Sequence, residues 1–189
     1  MKIQDIRFNE INGGSIEVTC IKKTCSEKTN LNKITKCLED EKKINLNSYE
    51  MLEKRIDNKK NILNLFLNNI KNDEIIAYGA STKGNIVLNH CNITEKQIKY
   101  ICDANPEKVG RYTPGSNIKI ISKKKMRKLK PKYLLVLIWS FRKEVIQQEI
   151  SYIKAGGTLI FHLPIFHIIN KHNYKQFLND NFKTFSYSI

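Results

Sequence analysis

One short loop holds the residues whose types and spacing first suggest chemistry. Gly79, Ser81, Lys83 and Gly84 stand in Gly79-Ala80-Ser81-Thr82-Lys83-Gly84, directly after the apolar run Ile75-Ile76-Ala77-Tyr78. A loop of this kind that opens a helix leaves backbone N–H groups facing outward, and a lysine beside them helps hold an anion. Asp103 ends a second apolar run that begins at Ile98. Dinucleotide-binding units carry an acid on a ribose hydroxyl about 20 residues past the glycine loop. The match to G-x-G-x-x-G fails at the middle glycine, where Ser81 stands. That glycine lets backbone approach a pyrophosphate, so NAD binding is not expected. Lys83 precedes Gly84 rather than following it, which excludes a P-loop.

Two further pairs lie downstream. Arg111 and Tyr112 sit in Asp103-Ala104-Asn105-Pro106-Glu107-Lys108-Val109-Gly110-Arg111-Tyr112-Thr113-Pro114-Gly115, where two prolines and two glycines forbid a regular element. Arginine grips phosphate with two parallel hydrogen bonds, and tyrosine stacks on a base or bonds a sugar hydroxyl. The alternative is a structural loop whose arginine bonds carbonyls. Trp139 ends the apolar run Tyr133–Trp139, Arg142 opens the helix after it, and both are expected on the same rim as Arg111 and Tyr112. Trp139 also reads as a core aromatic, and Asp103 also reads as a cap for its loop. His162, His167 and His172 recur every five residues, which is not one helical face, so they read as unrelated. Lys123 to Lys132 is a charge run without interleaved aromatics, expected to be a solvated helix face rather than a nucleic-acid patch.

These residues need a scaffold, and the text around them supplies one. Apolar runs at Ile75–Tyr78, Ile98–Asp103, Asn117–Ile121, Tyr133–Trp139 and Thr158–Phe161 alternate with helix-compatible segments. That alternation predicts an α/β fold: a Rossmann-like parallel sheet with helices on both faces. The helical segments include Ser122–Leu129, ended by Pro131, and Phe141–Ile153, ended by Gly156-Gly157. A β-hairpin, Ile3–Phe8 and Ser15–Ile21 around the turn 9–14, precedes the sheet. Residues 25–46 read as a polar loop. Asn47 or Ser48 then caps a long helix whose apolar face includes Leu52, Ile56, Leu63 and Leu67. The stretch from Ile165 to Ile189 reads as a marginal helix and a tail.

The chain has 33 basic and 18 acidic residues, a net charge of +15. This points to an anionic partner or to a lysine-rich solvated surface. Five cysteines without a Cys-x-x-Cys pair argue against a disulfide framework or a metal site and for a reducing, cytoplasmic compartment. No apolar run approaches a membrane span and no signal core opens the chain.

The glycine loop, the Arg111-Tyr112-Thr113-Pro114-Gly115 loop and Trp139-Ser140-Phe141-Arg142 occur in one order. Together they resemble the C-terminal domain of S-adenosylmethionine-dependent sugar C-methyltransferases, enzymes that methylate a ring carbon of nucleotide-linked keto-deoxysugars. Ile11-Asn12-Gly13-Gly14-Ser15 is similar to the segment closing that family's catalytic domain, with Asn12 where the family has histidine. The resemblance spans roughly Phe8 to Pro164. It implies four segments: 1–24, a hairpin remnant of a methyltransferase domain; 25–73, linker and packing helix; 74–165, the Rossmann-like domain; and 166–189, a tail. It implies an accessory domain of a split or truncated enzyme, with no catalytic residue and no cofactor of its own. S-adenosylmethionine is expected on a separate methyltransferase domain or chain, the implied partner. The substrate partner would be a nucleotide-linked sugar held by Gly79, Ser81, Lys83, Gly84, Asp103, Arg111, Tyr112, Trp139 and Arg142. A nucleotide or nucleotide-sugar binder without catalysis is the alternative. Neither a membrane nor nucleic acid is expected as a partner.

Overall fold

The computed structural model describes residues 1–9 and 11–179. Part of the expected N-terminal turn and the tail from Asp180 onward lie outside the described residues. The chain divides into two compact units, one built from Met1–Ile56 and the other beginning at Asp57.

In the first unit, β1 (Lys2–Asn9) pairs antiparallel with β2 (Ser15–Ile21), as the alternation predicts. The register sets Ile6 opposite Val18 and Phe8 opposite Ile16. Residues that face each other across an antiparallel pair share a face, so these four form one apolar stripe. The segment expected to be a loop instead holds α1 (Leu31–Lys42). Leu31, Ile34 and Leu38 fall at helical spacing there, but no residue of α1 is buried. The Asn30 N–H donates to the Gln4 carbonyl at 2.8 Å, and its side-chain amide reaches Asp5 at 3.3 Å. These bonds tie the start of α1 to β1. Ile6 is the one apolar side chain of the described part of this unit that is buried.

The long helix α2 (Leu46–Asn68) begins in the first unit and ends in the second. Its cap is Asn45, two residues earlier than expected: the Asn45 side chain accepts from the Ser48 N–H at 3.1 Å, and the Ser48 hydroxyl accepts from the Asn45 N–H at 3.3 Å. Reciprocal bonding of this kind satisfies two amides that the helix itself cannot.

The second unit is a six-stranded sheet in the order β5-β4-β3-β6-β7-β8. Five strands are parallel: β3 (Ile75–Tyr78), β4 (Tyr100–Asp103), β5 (Lys119–Ser122), β6 (Tyr133–Val136) and β7 (Thr158–Phe161). Period-two alternation divides their side chains between two cores. Ala77, Leu135, Leu137 and Ile160 pack with Leu63 and Leu67 of α2 and with Leu88 of α3 (Thr82–His90). Tyr78, Val136, Leu159 and Phe161 pack on the other face. There they meet α4 (Lys123–Leu129), α5 (Arg142–Gln148) and α6 (Ile150–Lys154) through Met126, Val145, Ile146 and Ile153. Layers of helix on both faces match the fold class expected from the sequence.

Three details differ from expectation. The sixth strand, β8 (His167–Ile169), pairs antiparallel with β7 and is followed by α7 (Tyr174–Asn179), where a marginal helix was expected. The central strand ends at Val136, and Trp139–Phe141 form a 3-10 turn. The amphipathic segment after it breaks at Glu149, which belongs to neither α5 nor α6. Glu149 is 1% exposed and accepts two hydrogen bonds from Arg127, at 2.7 and 3.0 Å, and one from the Tyr78 phenol at 3.0 Å. A buried carboxylate needs such donors to offset its lost hydration. Burial, with the Glu149 charge adding to it, pushes the Tyr78 phenol far above its ordinary pKa. Among the described residues no helix is long and apolar enough to cross a membrane.

Candidate functional site

The strand order reverses direction between β3 and β6, and ligands of open α/β sheets bind at the carboxyl ends of strands beside such a point. The loop after β3 is the one singled out by sequence. Gly79 has φ +95°, and its N–H donates to the Cys102 carbonyl at 2.8 Å. A Cβ on it would lie 2.6 Å from Ile138, so the loop after β6 packs directly on this glycine. Ser81 caps α3, its hydroxyl accepting from the Gly84 N–H at 3.0 Å. Gly84 is buried, and a Cβ there would lie 3.0 Å from Leu137 and 3.1 Å from the Gly79 carbonyl. The two glycines therefore serve close packing, and Ser81 serves the helix start. Lys83 is exposed in the first turn of α3.

Asp103 ends β4 beside this loop. One carboxylate oxygen accepts from the Ala80 N–H at 2.8 Å, the other from the Asn105 N–H at 2.8 Å. Lys108 closes the arrangement: its ammonium lies 3.5 Å from the carboxylate and donates to the Ala80 carbonyl at 2.9 Å. The acid that a dinucleotide or S-adenosylmethionine would need for its ribose hydroxyls is thus engaged by the protein's own backbone and lysine. With Ser81 in place of the middle glycine and Ile138 against Gly79, these residues do not fit either cofactor.

The remaining candidates separate. Trp139 is half-buried against the core beside α5, and Arg142 opens α5. The Arg142 guanidinium lies over the Phe177 ring at 5.3 Å and reaches His167 at 3.5 Å. His167 in turn stacks on Phe161 and on Phe177, at 5.0 and 5.3 Å between ring centres. Burial, with the Arg142 charge adding to it, holds the His167 ring below its usual pKa range against the pull of the Ile165 carbonyl.

Arg111 and Tyr112 do not share that rim. The Arg111 carbonyl accepts from Ile120, and Tyr112 bridges Lys119, the first residue of β5. Lys119 pairs with Tyr100, three residues before Asp103, which puts Tyr112 about 10 Å below the carboxyl edge. β5 and β6 are three strand spacings apart, about 14 Å. The loop runs back down the sheet's outer edge because Thr113 and Ser116 bond each other at 2.7 Å and Asn89 of α3 bonds the Pro114 carbonyl at 3.0 Å. Tyr112 is 54% exposed, and the Arg111 guanidinium makes no hydrogen bond or ion pair with a described residue.

Sequence reasoning passed over two polar groups at the carboxyl edge. His162 directly follows β7, is 5% exposed, and neither ring nitrogen makes a hydrogen bond of ordinary geometry. Burial pushes its pKa down to about 4, although the nearby Val136 carbonyl favours the protonated ring. The Asn85 side-chain oxygen, one residue past Gly84, is also covered and unpartnered. The available signal for His162 was its place: strand alternation after Ile160 and Phe161 returns it to the α3 face. At the opposite, amino edge lies a groove of about 730 Å³ between Arg127, Lys130, Lys132, Tyr152 and Gly157. Its arginine is already committed to Glu149, and it is far from every candidate residue at the carboxyl edge. Among the described residues no group of histidines, cysteines and acids is placed to hold a metal.

A family model described as C-methyltransferase C-terminal domain matches residues 10–164. The C-methyltransferase NovU of Streptomyces niveus is 33% identical over 90 residues, covering 48% of this chain and 21% of that protein. The match therefore spans about a fifth of that relative's length.

Proposed function

This chain belongs to the C-methyltransferase C-terminal domain family, and from that premise we propose that it is the accessory, sugar-holding part of a C-methylating enzyme. Its substrate class is a nucleotide-linked keto-deoxysugar. The methyl donor and the acid–base groups belong to a methyltransferase domain outside these residues, because the loop after β3 does not fit S-adenosylmethionine. The observation that carries this reading is the latch at the switch point. Asp103 accepts from the Ala80 N–H and Lys108 donates to the Ala80 carbonyl, which fixes both peptides around Ala80 and pre-sets the start of α3 as a seat.

A diphosphate would lie against that seat, near Lys83 and Lys108, as anions do at helix starts. Trp139 supplies an aromatic wall on the same rim. Arg111 and Tyr112, on the outer edge of the sheet, are left to meet the partner domain rather than the diphosphate. Cys91 and Cys102 are free and buried, which suits work in the reducing cytoplasm.

Calorimetric titration tests this. Thymidine diphosphate-glucose or UDP-glucose should bind the isolated chain, and Lys108→Ala should weaken binding about tenfold, since it removes one charge-assisted contact. S-adenosylmethionine should give no heat. Binding of S-adenosylmethionine with neither nucleotide-sugar bound would overturn the assignment.

A further inference from the structure

The groove at the amino edge of the sheet has a one-sided chemistry. Its side-chain acceptors are spoken for. Glu149 accepts twice from Arg127 and once from Tyr78. The Gln148 side-chain oxygen accepts from Lys123 at 2.7 Å and from Tyr78 at 3.3 Å. The Tyr152 hydroxyl donates to the Lys132 carbonyl at 3.1 Å and accepts from the Thr158 N–H at 3.3 Å. Donors are left over. Arg127 spends Nε and Nη2 on Glu149, and its Nη1 makes no bond with a described residue. Neither the Lys130 ammonium nor the Gln148 amide nitrogen has a partner among the described residues. Lys132 has only Glu74, at 3.8 Å, an exposed pair that holds weakly. Arg127 and Glu149 cancel in charge, so the lining keeps the two lysines in excess.

The walls are built before any ligand arrives. The Tyr152 hydroxyl staples α6 to the residue before β6 and to the start of β7. A Cβ on Gly157 would lie 2.2 Å from the Tyr152 ring, so the ring is pressed flat against that backbone. The volume of about 730 Å³ falls in the range of small-molecule sites. Helix ends explain only part of the basic lining. α4 and α6 stop here, and cations suit helix C-termini. That accounts for Arg127, in the last turn of α4. It does not account for Lys132, which belongs to no helix. Nor does it explain a lysine at position 130 with φ +48°, where glycine or asparagine would end the helix without strain.

We propose that this groove binds a small organic anion rich in phosphate or carboxylate oxygens, held by Lys130, Lys132, Arg127 Nη1 and the Gln148 amide. Such a group only accepts hydrogen bonds, which matches a lining that only donates. The site is independent of the nucleotide-sugar reading above.

Pyrophosphate and citrate, titrated separately at physiological salt against the full chain, test it by nuclear magnetic resonance. Either one should shift the Gln148 side-chain amide and the backbone amides of Lys130, Gly156 and Gly157, and the shifts should saturate. Tighter binding of pyrophosphate marks a phosphate ligand, and tighter binding of citrate a polycarboxylate; both support the site. Combining Lys130→Gly with Lys132→Gln should weaken binding at least tenfold. Lys130→Gly alone should melt no lower than the native chain, because glycine accepts that backbone freely, so lost binding will not reflect lost folding. Lys124→Gln, on the exposed part of α4 outside the groove, should change nothing. Lys108→Ala, which disables the seat at the carboxyl edge, should leave the groove shifts in place. The proposal is overturned if neither anion shifts these amides. It is also overturned if Lys124→Gln weakens binding as much as the double variant, which would mean diffuse surface charge, or if Lys108→Ala abolishes the shifts.

Discussion

In the unit built from Met1–Ile56, β2 has no buried residue, and Ile16 and Val18 stand 56% and 47% exposed. In the sheet unit, all four residues of β3 are buried, and β6 and β7 each bury three of four. Both regions are rich in isoleucine and lysine, so composition does not separate them. Architecture does. A parallel strand between two helix layers removes both faces from water. A two-stranded hairpin with one helix tied to its edge covers little, and such hairpins are marginal in water by themselves. An apolar face left open in this way is what a docking partner would cover.

The largest expected effect is in backbone exchange. Amides of β3 and β6 should exchange at least about a thousandfold more slowly than those of β1 and β2, a difference on the order of 4 kcal/mol in opening energy. Equal protection in a proven monomer would erase the contrast and make the hairpin a self-sufficient structure. Next comes truncation in the core. Leu135→Ala should cost about 2–5 kcal/mol in urea denaturation, since Leu135 is fully buried between β3 and β7.

A pH effect should follow from His162, the buried histidine of the sheet unit. The folded His162 titrates near 4, below its ordinary 6.5. The unfolded chain therefore binds that proton more readily. The contribution is fully present above about pH 6.5 and is lost as the pH falls towards 4, at most roughly 3 kcal/mol in all. Denaturation midpoints of the native chain and of His162→Phe, compared at pH 7 and pH 4.5, isolate it from the carboxylates that titrate in both. Parallel loss of stability in the two proteins would show that the ring is not buried neutral. The smallest effect belongs to the hairpin: Val18→Ser should change the melting free energy by no more than about 0.5 kcal/mol. A loss above about 2 kcal/mol would mean that Val18 is covered in solution.

The same contrast explains what could be read in advance. Strands β3 to β7 were legible because burial on both faces demands uninterrupted apolar text, as in Ile75–Tyr78 and Tyr133–Val136. α1 was missed because it buries nothing, so its Leu31, Ile34 and Leu38 are sparse among charged residues. β8 was missed because its pairing with β7 is set by tertiary contact of only three residues. The glycine loop was recognised, but not that Asp103 is taken up by Ala80, Asn105 and Lys108, which depends on side-chain reach rather than residue type. The separation of Arg111 from Trp139 was invisible because it follows from strand order. His162 was obscured by its even spacing with His167 and His172, which share no environment with it: His167 is stacked between aromatic rings and His172 is exposed.

Glu149 also acts as a proofreader of strand alignment. β3 is short and wholly apolar, and little in its side chains distinguishes one alignment beside β6 from the next. A slip of a single residue would turn each of its side chains to the opposite face. Tyr78 would then point away from Glu149, and the carboxylate would lose its phenol donor while still shut away from water. The carboxylate keeps Arg127 but loses one charge-assisted hydrogen bond, which is worth about 1.5–3 kcal/mol, so misaligned sheets are penalised as soon as α4 and α5 close over them. One acid between two helices thus discriminates between alignments that the hydrophobic pattern of the strand treats as equal.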